Sequence, residues 1–511
     1  MFDILTPKQM SAAEQASVKL GISLSQLMDN AGESFGRAVL SLALKKGFKN
    51  IVILVGSGNN GGDGLVCANF LAQSGVIPTI ILMCGQPKTE LAIAAFNKLD
   101  KRIQMLDKNS PEFDSVTNNA EIIADCVFGT GFHGKIADEL LPAFSQIGKC
   151  CAYKITCDLP SGVNALNGAV SPGTIKCSET ITFHRQKLGT ALHPAKEYCG
   201  KITLHEIGIP DGWETGLGLS IEQPDAAEIF GLLPVRRRDS HKGSYGKLML
   251  ICGSEKYMGA ALISSSAALR SGIGIANLCT PKSVAGALIS AMPECIFTSL
   301  KCDDNGFITA DNLPLLLEQA SSASAIVLGC GIGVTDDTAE IVYEIIKKAE
   351  CPIILDADGI NCLSGHIDVL EEKQAEIILT PHPAELARLC GKPVSEILDD
   401  RLSATLCIAQ KYGVTVHAKG TQTMTVTPEN RCYITDFGNS ALAKGGSGDM
   451  LAGLIGSFIA QGKKAHEACL LASCLMGMTA ENLSLSKSER GLLARDIISA
   501  FPDTLKQWEQ Q

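Results

Sequence analysis

The sequence predicts an α/β protein built from two doubly wound domains, residues 1–215 and 225–511. A short apolar run, a glycine-rich turn and a helix-like stretch follow one another at 50–72, and again at 247–271. Strand, glycine turn and helix in that order open a nucleotide-binding α/β unit. Further β-branched runs alternate with helical stretches through both halves, the pattern of a parallel sheet. Aromatic residues are scarce at 5% while glycine is abundant at 50, which suits many strand-to-helix turns better than a β-sandwich.

In the first half NIVILVG (50–56) reads as a buried strand, SGNNGGDG (57–64) as the turn and residues 65–72 as a helix. The turn is neither Gly-x-Gly-x-x-Gly nor a P-loop. Strands follow at 76–83, 121–128, 152–159 and 179–183. Ligands of such sheets sit at the carboxyl ends of the strands, and polar residues collect there. Asp125 precedes GTGFHGK (129–135), and Asp158 precedes LPSG (159–162). Asn60, Asp125 and Ser161 are hard oxygen donors that can hold an alkali cation with backbone carbonyls. A single strand-end Asp would otherwise be read as a cap.

Residues 208–239 read as a connector with a short helix around 224–233, and the domain boundary is expected at 215–225. Beyond it, strands are predicted at 247–253, 324–329, 352–358, 376–380 and 414–419, with an alanine-rich helix over 259–271. The stretch KGGSGD (444–449) turns into a helix expected to start at about Asp449. Its backbone N–H groups would converge on an anion or a transferring phosphoryl group. Asp449 stands where it can take a proton from an attacking hydroxyl. The plainer reading is a glycine turn with a capping acid. His382, between two prolines after a buried strand, is expected to touch a ligand. Asp356 and Asp358 either support magnesium through waters or cap a turn.

A net charge of −10 argues against a nucleic-acid or anionic-membrane partner. The cluster Arg236, Arg237 and Arg238 reads as a solvated face or an interdomain contact rather than a nucleic-acid patch. No apolar run approaches a membrane span, and the start lacks the pattern of a signal peptide. Twenty cysteines without a Cys-x-x-Cys spacing suggest buried, reduced thiols, Cys252, Cys279 and Cys407 among them, rather than a zinc cluster. A cytoplasmic homo-oligomer acting on small molecules is expected.

In order, TPKQM, LMDNAG, GNNGGDG, FGTG, DLPSG and TFHRQKLG make residues 1–210 resemble the NAD(P)H-hydrate epimerase family. The resemblance implies a Rossmann-like domain binding hydrated NAD(P)H at Asn59, Asn60, Gly61, Gly62 and Asp63. It implies further contacts at Gly129, Thr130, Gly131, Phe132, His133, Gly134, Lys135 and Asp158. It also implies a potassium ion held by Asn60, Asp125 and Ser161. Asp29 departs from the family's usual Glu, and residues 184–186 are atypical.

HKGSYG, the GAA helix, GCGIG, DADGIN, TPHPAEL, AKGTQT and KGGSGDML make residues 235–500 resemble the NAD(P)H-hydrate dehydratase family, within the ribokinase-like superfamily. That implies ADP or ATP, with Mg2+, at Lys419, Gly420, Thr421, Gln422, Thr423 and Gly448. It implies the hydrated dinucleotide at Ala260, Gly331, His382 and Asp449. Cys330 and Ala384 stand where the family mostly has proline and glycine.

The implied chemistry has two steps. The ring nitrogen of the hydrate can expel its neighbouring hydroxyl, and water can re-enter from either face. A carboxylate such as Asp158 would handle the proton and stabilise the cation. In the second half, phosphoryl transfer to the ring hydroxyl, with Asp449 as base, makes a good leaving group, and loss of phosphate restores NAD(P)H. The alternative is a small-alcohol kinase with an accessory nucleotide-binding domain, which GGSGD alone permits. A first half that binds without catalysis is a third reading.

Overall fold

In the computed structural model, residues 3–214 and 216–510 are described. Residue 215, the expected end of the first domain, lies outside the described residues, as do the outer ends of both expected domains. The chain forms two compact units, Met1–Ile221 and Glu222–Gln511.

The first unit carries a seven-stranded sheet whose neighbours all pair in parallel. From one edge it runs Gln104–Asp107, Thr79–Leu82, Ile51–Val55, Ile122–Cys126, Tyr153–Cys157, Glu179–Phe183 and Lys201–His205. Numbered along the chain, that is 3-2-1-4-5-6-7, a Rossmann order extended by one strand. Alternation of side chains explains why both faces are apolar. Ile51, Ile53 and Val55 pack beneath the helices Leu24–Lys46 and Asn59–Gln73, while Val52 and Leu54 join Phe113, Phe144 and Ile147 on the other side. The edge strands Gln104–Asp107 and Lys201–His205 were not expected from sequence. Their side chains are largely exposed or half-buried, so they carry no buried-strand signature.

The second unit repeats the order. Its parallel strands run Ile296–Leu300, Ile275–Pro281, Lys247–Ile251, Ala325–Leu328, Ile353–Leu355, Ile377–Leu379 and Thr415–Ala418. Thr423–Val426 and Arg431–Thr435 then extend it in antiparallel fashion. The first two and last two of these nine were not expected from sequence. The helix Ser447–Ala460 is buried at every position from 450 to 460. Gly453 allows its close approach to Met258–Arg270, since a Cβ there would lie 2.1 Å from Ser264 O. Gly456 does the same against Val327 and Leu248. This seating fixes where the helix begins, which is two residues earlier than expected.

The connector holds the strand Ser220–Glu222 and the helix Ala226–Phe230, capped by Asp225. All twenty cysteines are unpaired, and Cys252 and Cys279 are buried. Cys407 is exposed, contrary to expectation, because it lies off the buried stripe Leu402, Thr405, Ile408, Ala409 and Tyr412 of its helix. Among the described residues, no helix is long and apolar enough to cross a membrane.

Candidate active sites

In both sheets the strand order reverses beside the first strand, and ligands of open α/β sheets bind at that point. In the first unit it lies between Ile51–Val55 and Ile122–Cys126. The glycine turn is shorter than expected, because the helix starts at Asn59 with Gly58 as N-cap. Gly61 and Gly64 serve this tight junction. A Cβ on Gly61 would lie 2.0 Å from Gly56 O, and one on Gly64 would lie 2.7 Å from Cys126 Cβ. Gly62 packs on Met28 in the same way, with 2.7 Å to the methyl carbon.

A cavity of about 760 Å³ opens at the reversal. Asn59, Asn60 and Asp63 line it from the helix, Gly129, Thr130, Gly131, Phe132 and His133 from the loop after the fourth strand, and Asp158 from the end of the fifth. Gly61, Gly62, Gly134, Lys135, Asp125 and Ser161 do not line it. Asp158 has φ 69°, a left-handed backbone that costs a non-glycine residue about 1–2 kcal/mol. Strain of this kind gathers at functional sites. Its Oδ1 accepts from the buried Lys187 Nζ at 2.5 Å and from Thr182 Oγ1 at 3.1 Å. Lys187 also donates to Phe183 O at 2.9 Å. Lys187 and Glu14 both line the cavity, and neither was singled out from sequence.

Electrostatics divides these groups. Burial, then the charges of Asp158 and Glu14, push the Asp63 carboxyl well above the carboxylate range, with Lys187 opposing. Burial also raises Glu14, against the pull of Lys187.

Beneath the cavity Asp125 is buried and meets Ser161, whose Oγ donates to Oδ1 at 2.6 Å and whose N–H donates to Oδ2 at 2.8 Å. Burial raises the Asp125 carboxyl, although these bonds oppose the shift. Asn60 packs its side chain against Gly129, where a Cβ would lie 3.2 Å from Asn60 Oδ1. Its buried Nδ2 has no hydrogen-bond partner.

In the second unit the reversal lies between Lys247–Ile251 and Ala325–Leu328. Lys419 Nζ donates to Asp356 Oδ1 at 2.5 Å, Thr380 Oγ1 donates to the same oxygen at 2.6 Å, and Glu385 Oε2 lies 3.9 Å from Nζ. Ala357, between the two acids of DADG, has φ 48°. Burial raises the Asp356 carboxyl, but Lys419 and Thr380 outweigh it and hold the group below its usual range. Burial opposes the Lys419 charge, yet Asp356 and Glu385 leave the ammonium raised. Burial pushes Glu385 up to about 7.

Asp449 lies in the first turn of Ser447–Ala460, and burial, then the charge of Asp356, push it up to about 6. A Cβ on Gly448 would lie 3.6 Å from both Asp356 Oδ2 and Lys419 Nζ, so the glycine turn, the acid and the lysine meet. Cys330 Sγ joins them, 3.7 Å from Asp356 Oδ2. Gly331 abuts Ala260, with a hypothetical Cβ 2.8 Å from the alanine Cβ. His382 caps the helix Pro383–Cys390, its Nδ1 accepting from Ala384 N at 3.1 Å, and Nε2 lies 3.3 Å from Glu385 Oε1. Arg401 braces the 419–423 loop. It donates to Gln422 O at 2.6 Å, and a Cβ on Gly420 would lie 2.1 Å from its Nη1. Gln422 Nε2 donates to Asp436 Oδ1 at 2.8 Å, Thr421 is exposed, and Thr423 opens the antiparallel hairpin.

Lys444 has a structural duty, its Nζ donating to the carbonyls of Arg490 and Leu492 at 2.6 and 2.5 Å. Arg401 was not recognised as a neighbour of this cluster from sequence.

Residues 248–503 match the NAD(P)H-hydrate dehydratase family, and residues 24–189 match the family described as YjeF-related protein N-terminus. A curated relative from Methanothermobacter thermautotrophicus, "Bifunctional NAD(P)H-hydrate repair enzyme Nnr", is 32% identical over 98% of this chain and 95% of its own. One of the same description from Coxiella burnetii is 31% identical over 96% of both chains. The crystal structure of an ADP/ATP-dependent NAD(P)H-hydrate dehydratase from Bacillus subtilis, co-crystallised with ATP/Mg2+, is 28% identical. It covers 57% of this chain and 100% of its own at a TM-score of 0.49. With matches in both units and full-length relatives at this identity, the chain belongs to the bifunctional NAD(P)H-hydrate repair enzyme family.

Proposed function

We infer that the protein returns hydrated NAD(P)H to NAD(P)H in two steps. The first unit interconverts the R and S forms, and the second dehydrates the S form at the expense of ADP or ATP, releasing phosphate. The observation that carries this reading is the meeting of Asp449, the 445–448 turn and the Lys419–Asp356 pair at the strand-order reversal. A base near pH 6 is ionised at neutral pH and can take the proton of the ring hydroxyl as the phosphoryl group arrives. The turn's N–H groups then face the transferring charge.

The nucleotide is assigned to the 419–423 loop and Gly448, and the hydrate to Ala260, Gly331, His382 and Asp449. A carboxylate oxygen from each of Asp356 and Asp449 and the Cys330 sulfur lie within 4.8 Å of one another, and Asp356 and Asp358 fit a magnesium ion held through waters beside them. Such an ion supplies charge neutralisation on the nucleotide phosphates.

In the first unit the hydrate is assigned to the 760 Å³ cavity. Asp158, tied by Lys187 through Oδ1, keeps Oδ2 for the iminium cation. Residues 60, 125 and 161 supply hard oxygens, and the partnerless Asn60 amide supports an ion beside it once nitrogen and oxygen are exchanged. Potassium there supplies positive charge near the helix start. Gly61 and Gly62 contribute by shaping that start. Twenty unpaired thiols support a reducing, cytoplasmic setting, and we take the enzyme to be a homo-oligomer.

The test is incubation of the purified protein with mixed hydrate epimers, with and without ADP or ATP, following the return of reduced-nicotinamide absorbance. Full conversion with release of free phosphate is expected. A stable phosphorylated product would favour the kinase alternative.

A further inference from the structure

The first unit's cavity holds more negative charge than its structure uses. Three carboxylates from three different elements line it: Glu14 from the helix Pro7–Lys19, Asp63 from Asn59–Gln73, and Asp158 from a strand end. One ammonium, Lys187, is set against them. Lys187 is spent, since its three donors go to Asp158 Oδ1 at 2.5 Å, Phe183 O at 2.9 Å and Thr182 Oγ1 at 3.3 Å. It therefore fixes Asp158 in place.

The carboxylates of Glu14 and Asp63 make no hydrogen bond and no ion pair among the described residues. A half-buried carboxylate without a partner costs stability and caps nothing here. Two of them facing one cavity beside a satisfied Asp–Lys pair are not explained by folding. Three carboxylates against one ammonium in a low-dielectric space also cannot all stay ionised, so the cluster carries a shared proton. Burial and mutual repulsion raise both unpartnered groups.

We propose that Glu14 and Asp63 are the proton-transfer pair of the epimerisation, with Lys187 as the residue that positions Asp158. This rests on the epimerase reading of the first unit. The protonated member of the pair gives its proton to the departing ring hydroxyl. The carbon–oxygen bond breaks, water leaves, and the ring-nitrogen lone pair closes the iminium bond. Water adds to the other face, a new carbon–oxygen bond forms, and the ionised member takes the proton released. Protons and electrons balance over the cycle, and no co-reactant is consumed. Asp158, held by Lys187, lowers the energy of the cation.

The test uses the full chain and the R form of the NADPH hydrate, without nucleotide, with the spontaneous rate subtracted. Glu14→Gln and Asp63→Asn are each expected to lower the epimerisation kcat by about 10²–10⁴-fold, with KM within threefold. Glu14→Asp should recover part of the rate. Asp63, Asp158 and Lys187 face Glu14, and His133 is the other titratable group lining the cavity. The wild-type pH–rate profile should therefore show an acidic and a basic limb, and Glu14→Gln should lose one. The urea unfolding transition of each variant, compared with wild type, reports folding of the first unit, and a sample that fails it is replaced by Glu14→Asp. Glu14→Gln within threefold of wild type, or with both limbs intact, overturns the proposal. A wild-type protein that does not epimerise overturns the underlying reading instead.

Discussion

Lys419 Nζ lies 2.5 Å from Asp356 Oδ1 at a strand end of the second unit, close to Thr380, Glu385 and Gly448. Lys187 and Asp158 make the same pairing at 2.5 Å in the first. In both units a lysine ammonium pairs with a strand-end aspartate while neighbouring acids, Asp449 or Asp63 and Glu14, are pushed upward. Each site thus keeps one lysine-held aspartate and at least one proton carrier.

Breaking such a pair leaves a buried charge uncompensated. Lys187→Met should destabilise the first unit by about 3–5 kcal/mol. Adding Asp158→Asn should recover most of that loss. Urea titrations of the two variants and wild type form the check; equal losses in the single and double variants would show that packing, not charge, is responsible.

Asp449→Asn should lower dehydration by about 10²–10⁴-fold and leave nucleotide affinity nearly intact. Dehydration within threefold of wild type would remove the residue from its role. In the wild type the rate should fall about tenfold per pH unit below the Asp449 value of about 6.

The same residue has a stability signature. Its carboxyl rises from 3.8 to about 6 on folding, so it favours the folded state only while protonated. That contribution is complete below 3.8 and is lost as pH rises through about 6. Asp449→Asn should therefore gain on wild type by about 1–3 kcal/mol between pH 4 and pH 7. Melting curves at both values test it, and a constant difference would contradict the shift.

Fold-level features were legible wherever buried strands ran into glycine turns. Ile51–Val55 and Ala325–Leu328 are continuous apolar runs, and both were readable. The hairpin Thr423–Val426 and Arg431–Thr435 was not, because alternating threonines and the turn between mask its period. At the sites, strand-end aspartates announced themselves by position. Lys187 did not, since its partner lies 29 residues away and nothing local marks a buried ammonium. Glu14 sits one turn from Met10 on the same helix face, and both line the cavity, a spacing that could have flagged it.

The glycines separate by what surrounds them. Gly61→Ala would bring a Cβ within 2.0 Å of Gly56 O and should cost about 1–3 kcal/mol or more. A Cβ on Gly445 meets nothing within 4 Å, so Gly445→Ala should stay within about 0.5 kcal/mol of wild type. Thermal unfolding of both decides it; comparable losses would mean that the 445–448 turn is held by packing.

Potassium should support substrate binding in the first unit, through residues 60, 125 and 161. Exchanging it for a bulky organic cation should weaken hydrate affinity, read by calorimetry on the full chain without nucleotide. Unchanged affinity across cations would remove the ion from the account.

The central claim is that two sites, one in each unit, act in series on one substrate. Chiral chromatography of both epimers over time, for Asp158→Asn and Asp449→Asn, measures it most directly. Asp158→Asn should convert pure S hydrate at near the wild-type rate. On mixed epimers it should show a fast phase that stops when S is exhausted, then a slow one set by spontaneous epimerisation. Asp449→Asn should equilibrate the epimers and regenerate no NAD(P)H. If a correctly folded Asp158→Asn protein also dehydrates pure S hydrate slowly, the two reactions share a site or are coupled, and the two-site account is wrong.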